Sequence, residues 1–140
     1  MNISRGRDLD ACARKCLETI ELGQLMIKGY ESAPPTERPI HAEHVNELLD
    51  IARYNLSDRY MRLGRYEAAL DQLRLSEMLP KSTEAKLKRR LKEASLLFRL
   101  KDKEGSRIKL KQARDMDREL FMLLRERMAF DGHAGVDQPI

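Results

Sequence analysis

Residues 54–80 read YNLSDRYMRLGRYEAALDQLRLSEMLP, and this stretch decides the fold. The positions that set its pattern are Leu56, Tyr60, Gly64, Ala69, Leu73, Ser76 and Pro80. The first two are large and four residues apart, as on one face of a helix. Gly64 can take the left-handed conformation that ends a helix. The small residues that follow let a second helix approach the first closely, and a proline cannot continue that helix. The stretch therefore predicts two helices packed across a glycine turn.

The same three- and four-residue spacing of apolar residues extends in both directions. It predicts helices over about 8–30, 44–63, 66–79 and 83–100, and a long C-terminal helix from just after Gly105 to about Met128. Pro34, Pro35 and Pro39 mark residues 31–43 as a linker, and the Gly- and Pro-containing residues 131–140 read as a flexible tail. No segment shows the sustained alternation of apolar and polar residues that is typical of a strand. The sequence predicts an all-α chain of about five helices, a single domain over 1–130 with the packed helices over 44–128.

Composition narrows the class of protein. A length of 140 residues suits one domain, and 36% charged with 5% aromatic residues suits surface-exposed helices. The longest apolar run, residues 120–124, is far below the roughly 18 residues of a membrane span. Cys12 and Cys16 lie four apart on a helix, where geometry favours reduced thiols over a disulfide. We therefore expect a cytoplasmic protein.

The pattern of residues 54–80 resembles the tetratricopeptide repeat (TPR) family of helical-hairpin proteins. The resemblance is good over about 50–80, although Arg53 replaces a bulky residue and Pro80 comes one residue early. A degenerate second copy covers about 87–120, with Lys101 and Asp102 in place of the turn glycine. The positions that carry the second copy are Ala94, Leu97, Leu100, Ser106, Leu110 and Ala113. The resemblance implies antiparallel helical hairpins flanked by an N-terminal helix and a long C-terminal helix. The alternative is an ordinary helical bundle with nearly the same core.

The resemblance also implies a binding surface. In this family the first helix of each repeat lines a groove that holds a partner segment. The groove positions are Tyr54, Asn55, Asp58, Met61 and Arg62 in the first copy, and Lys88, Lys92, Ser95 and Arg99 in the second. Asn55, Lys88 and Lys92 fall where some members clamp a peptide carboxylate, which needs several converging donors. A groove for an acidic or amphipathic segment is the favoured reading.

Charge is distributed unevenly along the chain. Between Lys81 and Arg114 there are 13 basic and four acidic residues, a net charge of +9, whereas the rest of the chain carries −5. Such asymmetry indicates a surface for an acidic partner, although a merely solvated face has the same composition. Nucleic acid is the less favoured alternative. Its phosphate contacts would be Lys86, Lys88, Arg89, Arg90, Lys92 and Arg99.

An apolar surface is predicted near the C-terminus. The run of residues 120–124 is wider than one helical stripe, so one face should be buried internally and another covered by a partner or a second copy. The residues assigned to this assembly surface are Leu120, Phe121, Met122 and Leu124.

No catalytic or metal chemistry is predicted. Cys12, Cys16, His41 and His44 could total four ligands, but their spacing differs from that of zinc knuckles and the cysteines lie in a core stripe. There is no phosphate-binding loop, nucleophile elbow or zinc-protease motif. We expect no cofactor and no enzyme activity.

The favoured function is a small TPR-like adaptor or chaperone that binds another protein. Small helical chaperones of bacterial secretion systems are similar in size and repeat content. The alternatives are a nucleic-acid-associated regulator that uses residues 81–114, and a structural subunit of a homo- or hetero-oligomer.

Overall fold

A computed structural model describes residues 3–32, 42–76 and 82–140 of the chain. These residues contain six helices and no strand: α1 (Ile3–Ser32), α2 (Ala42–Arg62), α3 (Tyr66–Ser76), α4 (Thr83–Arg99), α5 (Lys103–Met116) and α6 (Arg118–Phe130). The prediction of an all-α fold is confirmed. Most of the predicted linker, and Pro80 with its neighbours, lie outside the described residues.

The single long C-terminal helix predicted from the sequence is wrong, because two helices occupy its place. Asp117 has an extended backbone, with φ −163° and ψ 104°, between α5 and α6. Its side chain accepts a hydrogen bond from the backbone N–H of Leu120 at 3.0 Å. An aspartate in this position satisfies a donor at the helix start that would otherwise have no partner. The described chain therefore has six helices and not about five.

The chain divides into two compact units, Met1–Leu79 (unit 1) and Pro80–Ile140 (unit 2), where the sequence predicts one domain. In unit 1, α1 and α3 both pack on α2, and a core joins the apolar stripes of α1 and α2. In unit 2, α4 packs on α5, and α6 contacts both. The core of unit 2 consists of Leu87, Leu91, Ala94, Leu110, Ala113, Phe121, Leu124, Met128 and Val136. Each unit thus buries an apolar cluster of its own.

Helices α1 and α2 approach closely at Gly23. A Cβ atom at this position would lie 2.7 Å from Cδ2 of Leu49, closer than packed carbon atoms come. Gly23 costs helix stability relative to alanine. That cost is offset here by the contact that α1 makes with the buried side chain of Leu49.

The turn after α2 depends on Gly64, which has a φ of +78°. The backbone N–H of Gly64 donates to the Met61 carbonyl at 3.1 Å, and that of Arg65 donates to the Tyr60 carbonyl at 2.8 Å. These two bonds satisfy carbonyl groups that the end of a helix leaves free. Gly64 ends α2 as the sequence predicts.

The turn after α4 has the same hydrogen bonds without a glycine. Lys101 has a φ of +70°, its N–H donates to the Phe98 carbonyl at 3.1 Å, and the N–H of Asp102 donates to the Leu97 carbonyl at 2.9 Å. A left-handed backbone is unfavourable for a residue that carries a Cβ. Lys101 therefore holds a strained conformation.

We expect Lys101→Gly to raise the free energy of unfolding of unit 2 by about 0.5–1 kcal/mol. Glycine removes the left-handed penalty, which exceeds the added entropy of the unfolded chain. The matched control is Lys111→Gly, which removes the same charge from inside α5 and should cost about 1 kcal/mol. Thermal unfolding followed by circular dichroism measures both. A destabilised Lys101→Gly would show that this turn is not left-handed.

The segment after α6 packs against unit 2, whereas its composition predicts a flexible tail. Val136 is fully buried in the core. Gln138 donates from Nε2 to the Ser106 hydroxyl at 2.7 Å, and its carbonyl accepts from Arg125 at 3.0 Å. Residues 131–140 therefore contribute to the fold of unit 2.

Candidate functional site

The predicted binding residues of unit 1 share one side of α2. Asn55 and Arg62 are exposed, and Tyr54, Asp58 and Met61 are half-buried. The Asp58 carboxylate contacts Nε of Arg62 at 3.0 Å, one helical turn away. An ion pair of this exposure contributes little stability and exchanges readily for other partners. This side of α2 (residues 54, 55, 58, 61 and 62, the "α2 face") thus offers a partner an aromatic ring, a thioether, an amide and both charges.

The predicted binding residues of unit 2 are less accessible. Lys88 contacts the Glu84 carboxylate at 3.3 Å, and Nη2 of Arg99 donates to the Gly132 carbonyl at 3.3 Å. Lys92 is only 2% exposed and Ser95 is fully buried. In this structure, therefore, Lys88 and Arg99 are the two groove positions of α4 that solvent reaches.

The proposed clamp residues are divided between the two units. Asn55 lies in α2 of unit 1, and Lys88 and Lys92 lie in α4 of unit 2. Since Lys92 is buried, Lys88 is the clamp lysine with an accessible ammonium group. A carboxylate clamp stays a prediction.

Part of the positive charge of α4 lies inside unit 2. Glu93 is 1% exposed, and its carboxylate contacts Nζ of Lys109 at 3.3 Å and Nη1 of Arg90 at 3.6 Å. Arg89 is buried as well, and it donates to the Ala85 carbonyl at 3.3 Å. A phosphate backbone needs exposed cations. Of the six cations assigned to nucleic acid, Arg89 and Lys92 are therefore inaccessible.

The predicted assembly surface of α6 is divided between the core and solvent. Phe121 and Leu124 are buried in the core of unit 2, and Leu120 is half-buried against it. Met122 is 57% exposed. The structure adds Leu123, which is 55% exposed, and Phe130, which is 92% exposed. Leu123 and Phe130 are seven residues apart, which places them on one side of α6. This spacing is present in the sequence, but the apolar run of residues 120–124 is too wide to reveal it.

The two cysteines are free and differ in exposure. Cys12 is exposed, while Cys16 is half-buried at the edge of the core of unit 1. Burial raises the pKa of the Cys16 thiol above its usual value, against the opposing effect of the nearby Arg59 guanidinium. Among the described residues, no three His, Cys, Asp or Glu side chains could hold a metal ion. The side chains of His41 and His44 lie outside the described residues.

We expect Cys12 to be alkylated by iodoacetamide several-fold faster than Cys16 at pH 8. The thiolate is the reactive form, and the Cys16 thiol is less exposed and has its pKa raised by burial. Cleavage after Arg14 and Lys15 separates the two cysteines, so mass spectrometry of the peptides measures each rate. The unfolded chain in urea is the control, in which the two rates should converge. Equal rates in the native protein would place Cys16 outside the core.

The thiol of Cys16 also gives unit 1 a pH dependence. Because its folded pKa is raised, the folded state retains the proton that the unfolded state releases. The contribution of the protonated thiol is fully present below the unfolded pKa and is lost as the pH rises through the folded pKa. Unit 1 should therefore lose stability on the alkaline side, and Cys16→Ala should lessen this loss.

Within 3–32, 42–76 and 82–140, no helix combines the length and apolar character needed to cross a bilayer. No known protein family matches the chain, and neither does any curated protein or solved structure.

Proposed function

We propose that the chain is a cytoplasmic, non-enzymatic protein-interaction module of TPR-like helical hairpins, an adaptor or chaperone that binds a partner segment. The observation that carries the proposal is the likeness of two turns. Lys101 follows Gly64 by 37 residues, and every backbone hydrogen bond of the first turn has a counterpart in the second at that same offset. The turn that joins α2 to α3 and the turn that joins α4 to α5 thus have the same pattern of backbone hydrogen bonds.

Packing positions follow the same offset. Ala69 and Ser106 are both fully buried small residues in the second helix of their pair. The backbone N–H of each donates to the carbonyl of the residue four positions earlier, at 3.0 Å. Leu73 and Leu110 are likewise fully buried, as are Ser76 and Ala113. A small residue on a buried helix face lets two helices come close, while the leucine one turn later fills the adjacent space. This order of small, large and small residues supports a repeated hairpin.

The α2 face is the proposed contact with the partner. Tyr54 and Met61 provide apolar area beside the adjustable Asp58–Arg62 ion pair, and aromatic and thioether side chains are typical of binding surfaces. Such a surface binds a protein segment without chemical change, as in an adaptor or chaperone.

Co-purification from the native cells tests the proposal. The tagged full chain is compared with Asn55→Glu/Arg62→Glu, which changes the charge of the α2 face by −3. The matched control is Lys15→Glu/Gln24→Glu, the same charge change at two exposed positions of α1. The wild type and the control should retain a common partner that the α2-face variant loses, all three with the same circular dichroism. A partner kept at full yield by the α2-face variant would contradict the proposal.

A further inference from the structure

A line of basic residues runs along the outer side of α5. Lys103, Arg107, Lys111 and Arg114 follow one another at intervals of four, four and three residues, which places them on one side of the helix. The first three are exposed and Arg114 is half-buried. The core-facing residues Ser106, Leu110 and Ala113 lie on a different side. We call these four cations the α5 basic stripe.

The stripe is not neutralised by neighbouring acids. Among the residues that the structure describes, Lys103, Arg107 and Lys111 have no ion pair, and Arg114 contacts only the adjacent Asp115, at 3.8 Å. Lys109 on the same helix differs, because it turns inward to the buried Glu93. Basic groups that form no ion pair attract an acidic partner, and the attraction strengthens when that partner excludes water.

The stripe borders a cavity whose wall is partly apolar and partly charged. The cavity has a volume of about 460 Å³ and is lined by Glu104, Arg107, Ile108, Lys111 and Ile140. Ile108 is 49% exposed and Ile140 is 39% exposed, although both are large apolar residues. The segment that carries Ile140 is attached to α5 by the hydrogen bond from Gln138 to Ser106. The volume falls within the roughly 300–1,000 Å³ typical of small binding pockets.

We propose that this face of α5 binds an acidic amphipathic segment of another protein. A large apolar side chain of that segment enters the cavity between Ile108 and Ile140, and its flanking carboxylates contact Arg107 and Lys111. An (i, i+4) pair of cations suits carboxylates spaced by one turn of a partner helix. The site includes no residue of the α2 face, so it does not rest on the function proposed above.

The lining of the cavity favours a peptide over nucleic acid. The Glu104 carboxylate would repel a phosphate backbone, whereas a peptide can place a neutral or basic residue beside it. Ile108 and Ile140 present apolar area that phosphates do not use. A mixed site of this kind resembles the polar rim and apolar centre of a protein interface.

Fluorescence anisotropy with synthetic probes tests the proposal. The probe is a labelled 16-residue helical peptide with leucine and phenylalanine on one side, flanked by glutamate and aspartate. The full chain should bind it, and Arg107→Glu/Lys111→Glu should weaken binding by about tenfold or more, as loss of two charge-assisted contacts requires. Arg118→Glu/Arg127→Glu is the matched control with the same charge change at exposed positions of α6, and should keep affinity within about twofold.

Two further measurements decide between occupants. Ile108→Ser leaves every charge in place and should still weaken the peptide by about tenfold, since about 1.4 kcal/mol of apolar contact corresponds to that factor. A peptide with amides in place of its acids should bind equally weakly.

Tighter binding of a single-stranded oligonucleotide, unaffected by Ile108→Ser, would overturn the proposal in favour of a polyanion site. Self-association that the α5 double variant abolishes would assign the face to a second copy, and failure of the acidic peptide to bind would also overturn the proposal.

Discussion

We expect Phe121→Ala to lower the free energy of unfolding of unit 2 by about 3–5 kcal/mol. Phe121 is fully buried in the core of unit 2, and the guanidinium carbon of Arg125 lies 5.5 Å from the centre of its ring. Removing the ring takes away both its apolar burial and its packing, and it leaves a cavity that the neighbouring helices fill only in part. Urea unfolding followed by circular dichroism gives the change.

The neighbouring Met122 is the control for this prediction. It is 57% exposed, so Met122→Ala should change stability by less than about 0.5 kcal/mol. Comparing these two variants distinguishes the buried face of residues 120–124 from the exposed face, whereas the sequence assigns both faces to one assembly surface. A stable Phe121→Ala, or a Met122→Ala as damaging as its neighbour, would show that α6 is rotated relative to the core.

The second large effect is expected for Gly135→Ala. Gly135 has a φ of +82°, and a Cβ atom there would collide with the Phe98 side chain. The left-handed backbone costs about 1–3 kcal/mol, and forcing a methyl group into a packed site adds about 1–3 kcal/mol. The substitution should release Val136 from the core. Hydrogen exchange at the amides of residues 134–138 should then accelerate together with the loss of stability.

Gly132→Ala isolates the backbone part of this effect. Gly132 has a φ of +91°, but a Cβ atom there would meet nothing within 4 Å. It should therefore cost only the left-handed penalty, and the difference between the two variants measures the contact with Phe98. Equal destabilisation by both substitutions would mean that residues 133–140 do not pack against α4.

Residues that start or end a helix allow several helix boundaries to be predicted from the sequence. Gly64 ends α2 as the sequence predicts, and Ser82, a residue type that favours helix starts, caps α4 by accepting from the Ala85 N–H at 3.2 Å. The sequence does not indicate the break at Asp117, because apolar residues continue at helical spacing across it, through Ala113, Leu120 and Leu124. Periodicity alone does not distinguish one helix from two that both face the same core.

The tail illustrates a different limit of local reasoning. Glycines at 132 and 135 and a proline at 139 indicate irregular backbone, which is correct, but not whether that backbone packs. Val136 enters the core through tertiary contacts that no local pattern encodes. The same holds for the two-unit organisation, since it depends on which helices contact one another.

The candidate site was predictable in part. The α2 face follows from the resemblance to the TPR pattern, but the same pattern places Lys92 and Ser95 in a groove, whereas the structure buries both. The reverse applies to α5. Its basic stripe is visible as a four-residue spacing once the helix is known to start at Lys103, yet a net charge summed over 81–114 conceals it.

Site-specific photo-cross-linking in the native cells tests the central claim most directly. A photoreactive phenylalanine analogue is placed at Asn55 on the α2 face and, separately, at Lys15 on the exposed side of α1. If the α2 face binds a partner segment, irradiation should give a discrete heavier adduct with one protein from position 55 and none from position 15. The same adducts from both positions, or none from position 55, would contradict the claim that this chain is a protein-interaction module acting through α2.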